Sequence, residues 1–138
     1  LVVLVLVRFS YDGRVWLGSW RRMDKMSSNY VWEGRNLPTP RFGYVDEFKP
    51  GLISQLVSLM GFPLAVKPAR EGSSIGVYKV NNQSQLEAAI EGAIKLDKQV
   101  LVEKGVEGDD LTIDLLGGEA LRIIGFRTDN IMYDYAAK

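Results

Sequence analysis

The chain has 138 residues, 46% of them hydrophobic, which suffices for one domain with a real core and excludes a disordered or collagen-like chain. Seventeen basic residues balance seventeen acidic ones, so no global field draws it to nucleic acid or an anionic membrane, and any anion site has to be local. Cysteine and histidine are both absent, which excludes disulfide scaffolds, thiolate and imidazole metal sites and histidine triads, leaving Lys, Arg, carboxylates, hydroxyls and main-chain groups for any chemistry.

Leu1 to Val7 is an apolar run too short to span a membrane, and it reads as a buried strand of a cytoplasmic protein. Tyr11-Asp12-Gly13-Arg14 is a turn signal. Trp16, Trp20 and Trp32 read as core, with a surface turned to another domain as the alternative. Asp24 is placed to cap a helix running to about Tyr30 or Glu33, with Met26, Tyr30 and Val31 on one side and Gly34 at its end. Lys25 falls in the first turn of that helix, where the dipole disfavours a cation. That hints at a bound anion, with a solvated lysine as the plainer alternative. Leu37-Pro38-Thr39-Pro40 is a stiff connector into a strand from Phe42 to Val45. Pro50 opens a second helix whose Leu52, Ile53, Leu56, Val57 and Met60 recur at helical spacing up to Gly61.

The segment from Phe62 to Val80 reads as two strands, Leu64 to Val66 and Ile75 to Val80, around a loop holding Gly72, Ser73 and Ser74. Glycine allows close backbone approach, successive N–H groups can cup an anion, and serine hydroxyls add donors, so the loop suits a phosphate. Lys67 ends the strand that enters it, where an ammonium can reach that phosphate. Neither a Walker A ending nor a GxGxxG pattern is present, and on residues alone a plain glycine hairpin with a surface lysine reads equally well.

Asn82 and Gln85 form a capping pair for a third helix that buries Leu86, Ala89, Ile90, Ala93 and Ile94. Val100 to Lys104 is a strand with a charged end. Asp110 to Leu116 alternates, setting Leu111, Ile113 and Leu115 on a dry face, and Gly117-Gly118 joins it as a two-residue hairpin to Glu119 through Phe126. The sum is an α+β arrangement, about three helices against a mostly antiparallel sheet.

In this order and spacing, Met23-Asp24-Lys25, Leu37-Pro38-Thr39-Pro40, Val66-Lys67-Pro68-Ala69-Arg70-Glu71-Gly72-Ser73-Ser74-Ile75-Gly76, Val102-Glu103-Lys104 and Tyr133-Asp134-Tyr135-Ala136-Ala137-Lys138 resemble the D-alanine–D-alanine ligases of the ATP-grasp superfamily. The resemblance covers residues 23 to 138, the ATP-binding region, and treats residues 1 to 22 as a remnant of an amino-terminal domain. It implies an enzyme that activates one D-alanine as an acyl phosphate with ATP and magnesium and lets the amine of a second displace phosphate. The product serves peptidoglycan synthesis. A homodimer is also implied, with no nucleic-acid or membrane partner.

Carried over by residue, Lys25, Lys67 and Lys138 contact ATP phosphates, and Gly72, Ser73 and Ser74 close over them, with Ser73 also touching substrate as the catalytic candidate. Glu103, Lys104 and the backbone around Val106 match the adenine hinge, and Asp110 takes the place of the ribose-binding carboxylate. Without the resemblance, Glu103 and Lys104 read as an exposed strand end and Asp110 as a polar-face residue. Departures are Asp110 and Ala136 where the family usually has Glu, and Gly105 where a bulky residue is common. The carboxylate and Asn ligands of magnesium find no counterpart, so the expectation is a truncated form not competent alone. The alternatives are a non-catalytic ATP-binding module and a structural fragment.

Overall fold

A computed structural model of the chain describes residues 24–126; the readings for Leu1 to Val7, Trp16, Trp20, the Tyr133-Asp134-Tyr135 motif and Lys138 fall outside them. Three helices, α1 (Lys25–Gly34), α2 (Pro50–Met60) and α3 (Gln83–Ile94), accompany four strands of one sheet: β1 (Phe42–Val45), β2 (Leu64–Pro68), β3 (Tyr78–Val80) and β4 (Val100–Lys104). The sheet order is β1-β4-β2-β3, antiparallel throughout. Two small antiparallel pairs follow: β5 (Asp110–Thr112) with β8 (Ile124–Phe126), and β6 (Leu115–Leu116) with β7 (Glu119–Ala120).

Alternation along the strands gives the sheet two unlike faces. One face carries Val45, Leu64, Val66, Val80, Val100 and Val102, and these pack with Ile53, Leu56 and Met60 of α2 and Leu86, Ala89, Ile90 and Ala93 of α3 into a single core. Both helices are built as their sequences foretell. Pro50 sits in the first turn of α2, and Gly61, at φ 63°, closes it by donating to the Val57 carbonyl. Asn82 accepts from the Gln85 N–H at 3.0 Å, and the Gln85 side chain accepts at 2.8 Å from the N–H of Asn81, one residue before the cap.

The opposite face is where expectation and structure part. Asp24 caps α1, accepting from the Met26 and Ser27 N–H groups. The helix, however, buries Asn29 and leaves Tyr30 and Val31 exposed, because it lies over the face opposite the main core, where Phe42, Tyr44 and the buried Leu101 stand beside the charged Glu103 and Lys67. Tyr30 instead stacks edge-on to Phe42 and tilted against Tyr44, shielding the β1 half of that face. Trp32 is 46% exposed and walls a small cleft with Pro38, Thr39 and Pro40, so the core reading fails for it.

Three strand readings are also corrected. The strand expected from Ile75 begins only at Tyr78, because Gly72 to Gly76 is folded into turns. The continuous strand expected from Asp110 to Leu116 breaks after Thr112, and the one from Glu119 to Phe126 breaks after Ala120. Leu111 and Ile113, assigned to a dry face, are 63% and 46% exposed, since neither helices nor the main sheet cover these hairpins among the described residues. The Gly117-Gly118 turn is as expected: Leu116 pairs with Glu119, and both glycines have positive φ, 61° and 91°.

Candidate nucleotide-binding site

Because α1 shields only the β1 half of the face opposite the main core, the β2–β3 half is left open as a cavity of about 770 Å³. Strand register sets its floor. Glu103 on β4, Ala65 on β2 and Lys79 on β3 stand in one row across the sheet, and Lys67 lies two residues further along β2. The loop after β2 forms one wall and the segment after β4 another. Lys25, Lys67, Gly72, Ser73, Ser74, Glu103, Lys104, Val106 and Asp110 all line the cavity, so nine candidates spread over 86 positions of sequence meet in one place.

Their partners differ from what the sequence suggests. The Lys67 ammonium ion-pairs with the Glu103 carboxylate, whose side chain is only 14% exposed. Lys25 donates from Nζ to the carbonyls of Pro68 at 3.0 Å and Glu71 at 2.5 Å, and its own N–H reaches the Ala69 carbonyl, so it ties α1 to the base of the loop. The Lys104 ammonium turns away, toward the Phe62 carbonyl at 2.7 Å beside the carboxyl end of α2, where a cation is favoured. Arg70 is held by Asp97, Nη2 to Oδ1 at 3.1 Å, beside its main-chain N–H to Oδ2 at 2.9 Å. Burial pushes Asp97 up, but the N–H groups of Gln99 and Arg70 and the guanidinium outweigh it and hold the carboxyl below its usual value.

The loop itself is wound tightly. The Ile75 N–H donates to the Gly72 carbonyl at 3.0 Å across Ser73 and Ser74, whose φ angles are 51° and 59°. Two positive φ values in succession are the mark of a type I′ turn, which ordinarily favours glycine or asparagine. Serine held there is strained, a feature that concentrates at ligand-binding sites. Gly76, at φ 68°, permits the chain to leave the turn close to Pro68 and Leu96, where a Cβ would meet side-chain atoms at 2.9 and 2.4 Å. Gly105 has a packing reason for lacking bulk: its N–H bonds the Pro63 carbonyl at 2.9 Å, and a Cβ would lie 3.1 Å from that oxygen.

Lys79 was missed by the sequence reading. It lines the cavity, half-buried, and has no hydrogen-bond or ion-pair partner among the described residues. The available signal was its place in the alternation: Tyr78 and Val80 flank it on the other face.

Lys25 carries a pH signature. Burial, then repulsion from the Lys67 ammonium, lowers its pKa from 10.5, against the opposing pull of Glu71, Asp97 and Glu103. Between the folded value and 10.5 the unfolded chain holds a proton that the folded chain has released, so stability rises with pH in that window. Urea unfolding followed as the pH is raised toward 10.5 is expected to show that rise in the native chain and a flatter profile in Lys25→Met. Identical slopes for the two would contradict the assignment.

An antiparallel sheet backed by helices on one face, with a turn-rich loop and lysines over the other, is the fold of part of an ATP-grasp ligase. The profile of the D-ala D-ala ligase C-terminus matches residues 32–138. The chain belongs to the D-alanine–D-alanine ligase family. It is 47% identical to the D-alanine–D-alanine ligase of Marinobacter nauticus over 128 residues, covering 93% of this chain and 39% of that protein. With the ligase of Alcanivorax borkumensis it shares 40% identity over 136 residues, 99% of this chain and 42% of that one.

Among solved structures, the ligase of Bacillus anthracis superposes with a TM-score of 0.80 at 29% identity, over 99% of this chain and 44% of that one. The same enzyme complexed with ATP superposes with a TM-score of 0.78 at 28% identity, over 90% and 41%. The chain thus spans about two fifths of the length of the curated relatives it matches. No helix among the described residues is long and apolar enough to cross a membrane.

Proposed function

We propose that this chain forms the nucleotide-binding part of a ligase that uses ATP to join two molecules of D-alanine for peptidoglycan synthesis. The observation that carries the reading is the convergence of Lys25, Lys67, Glu103 and the Gly72-Ser73-Ser74 turn on one cavity, in a chain of this family. Bound ATP supplies the phosphoryl group that activates the first D-alanine carboxylate. The protein's part is positioning and charge stabilisation, with no covalent step on a side chain.

In this scheme Lys67 and Lys25 face the phosphates. Lys25 exchanges its hold on the Pro68 and Glu71 carbonyls for phosphate oxygens, so occupancy and the seating of the loop are linked. Ser73, exposed at the turn, reaches the substrate side, and Ser74 and Gly72 close the phosphate end. Glu103 and the main chain from Lys104 to Val106 face the base, and Asp110, exposed at the rim, faces the ribose. The role of Lys138 beside the phosphates rests on the sequence resemblance alone.

Among the described residues no group of three or more Asp, Glu, His or Cys side chains is arranged to hold a metal, and no step here is assigned to one. Calorimetric titration with a non-hydrolysable ATP analogue tests the reading. Saturable binding that ATP displaces and D-alanine leaves intact is expected; a folded chain that takes no nucleotide would overturn it.

A further inference from the structure

We infer that Lys79 is a nucleotide-binding residue that acts at the base end of the cavity. The inference rests on the nucleotide reading above and adds a residue and a ligand group to it. Its first ground is the charge inventory of the cavity. Lys67 is paired with Glu103, Lys25 holds two carbonyls, Arg70 is taken by Asp97, and Lys104 points to the end of α2. Among the described residues, the cation lining the cavity that is left without any partner is Lys79.

The second ground is register. From the loop end to the hinge end, β2 presents Lys67 and then Ala65 to the cavity, and Ala65 is flanked by Glu103 on one side and Lys79 on the other. With strands ~4.8 Å apart, the carboxylate-bearing and ammonium-bearing positions stand about 10 Å apart over an alanine methyl. The floor is therefore a flat apolar strip between an acceptor and a donor. That fits a planar heterocycle, not a phosphate. An ammonium only donates, so on adenine its partner is a ring nitrogen. The row lies beside the segment from Lys104 to Val106 and away from the Gly72-Ser73-Ser74 turn, which separates Lys79 from the phosphate end.

The test compares affinities of the native chain, Lys79→Met and Lys79→Arg for adenosine, AMP, ADP and the ATP analogue, with Lys67→Met in parallel. Lys79→Met is expected to weaken all four ligands by a similar factor, roughly tenfold or more for loss of a charged hydrogen bond, with Lys79→Arg recovering part of it. Circular dichroism and urea unfolding confirm that each variant is folded. A loss that grows with the number of phosphates would overturn the base-end assignment, and unchanged affinity in Lys79→Met would overturn the inference as a whole while Lys67→Met still weakened binding. If no nucleotide binds the native chain, the nucleotide reading fails and this inference falls with it.

Discussion

Lys67→Met is expected to weaken ATP-analogue binding by about 1.5–3 kcal/mol, the range for a hydrogen bond to a charged group. The same change has a second consequence that the structure makes visible. Lys67 neutralises Glu103, whose side chain is 14% exposed, and removing one partner of a shielded ion pair leaves the other charge uncompensated. The single variant therefore loses stability as well as affinity. The double variant Lys67→Met with Glu103→Gln separates the two effects. Stability by urea unfolding is expected to return toward that of the native chain, because no lone charge remains. Affinity by calorimetry is not, because the phosphate cation is still missing. Should the double variant bind as the native chain does, Lys67 acts only by holding Glu103, and its direct contact with phosphate is refuted.

Ile90→Ala is expected to cost about 2–5 kcal/mol of folding stability, combining lost burial with the cavity left behind. Ile90 is fully buried at the centre of α3 and belongs to the core that joins this helix to β2 and β3. Against a typical total of about 5–15 kcal/mol for a domain, that is a large share. The strands it supports carry Lys67 and Lys79, so nucleotide affinity is expected to fall with the folded fraction and to recover in conditions that restore folding. Leu116→Ala serves as the contrast: the side chain is 71% exposed, and such surface changes usually stay within about 0.5 kcal/mol. Comparable losses for the two variants, measured by chemical denaturation, would mean that the core drawn here is not the one that holds the chain together.

How far the structure can be read from the residues differs between its halves. The second and third helices were legible because Pro50, Gly61 and the Asn82–Gln85 pair mark their ends, and because Ile53, Leu56, Leu86 and Ile90 recur at the helical period against an apolar sheet. The first helix was capped as expected at Asp24, yet its inward face was misread. Periodicity of apolar residues does not say which sheet face a helix meets, and α1 lies over the face opposite the main core, burying Asn29 there. Alternation from Asp110 to Leu116 likewise predicted a dry side at Leu111 and Ile113, but alternation says which residues share a face and nothing of whether anything covers it.

For the site, the order of motifs supplied the family and named nine residues that the fold brings to one cavity. What it did not supply is how their charges are spent. Lys67 meets Glu103 across 36 positions of chain, Lys25 reaches carbonyls more than 40 positions away, and Lys104 turns to the end of a different helix. Ser73 and Ser74 also look unremarkable as residues, and only the folded loop shows them in left-handed conformation.

By itself the sequence determined the family, the two core helices, the strand that carries Lys67 and the identity of half of the cavity residues, because these rest on local periodicity, capping and short contiguous motifs. Only the tertiary structure decided which face α1 covers, which lysines are already committed and that Lys79 is not, because strand register and long-range pairing set distances between side chains that no local pattern encodes.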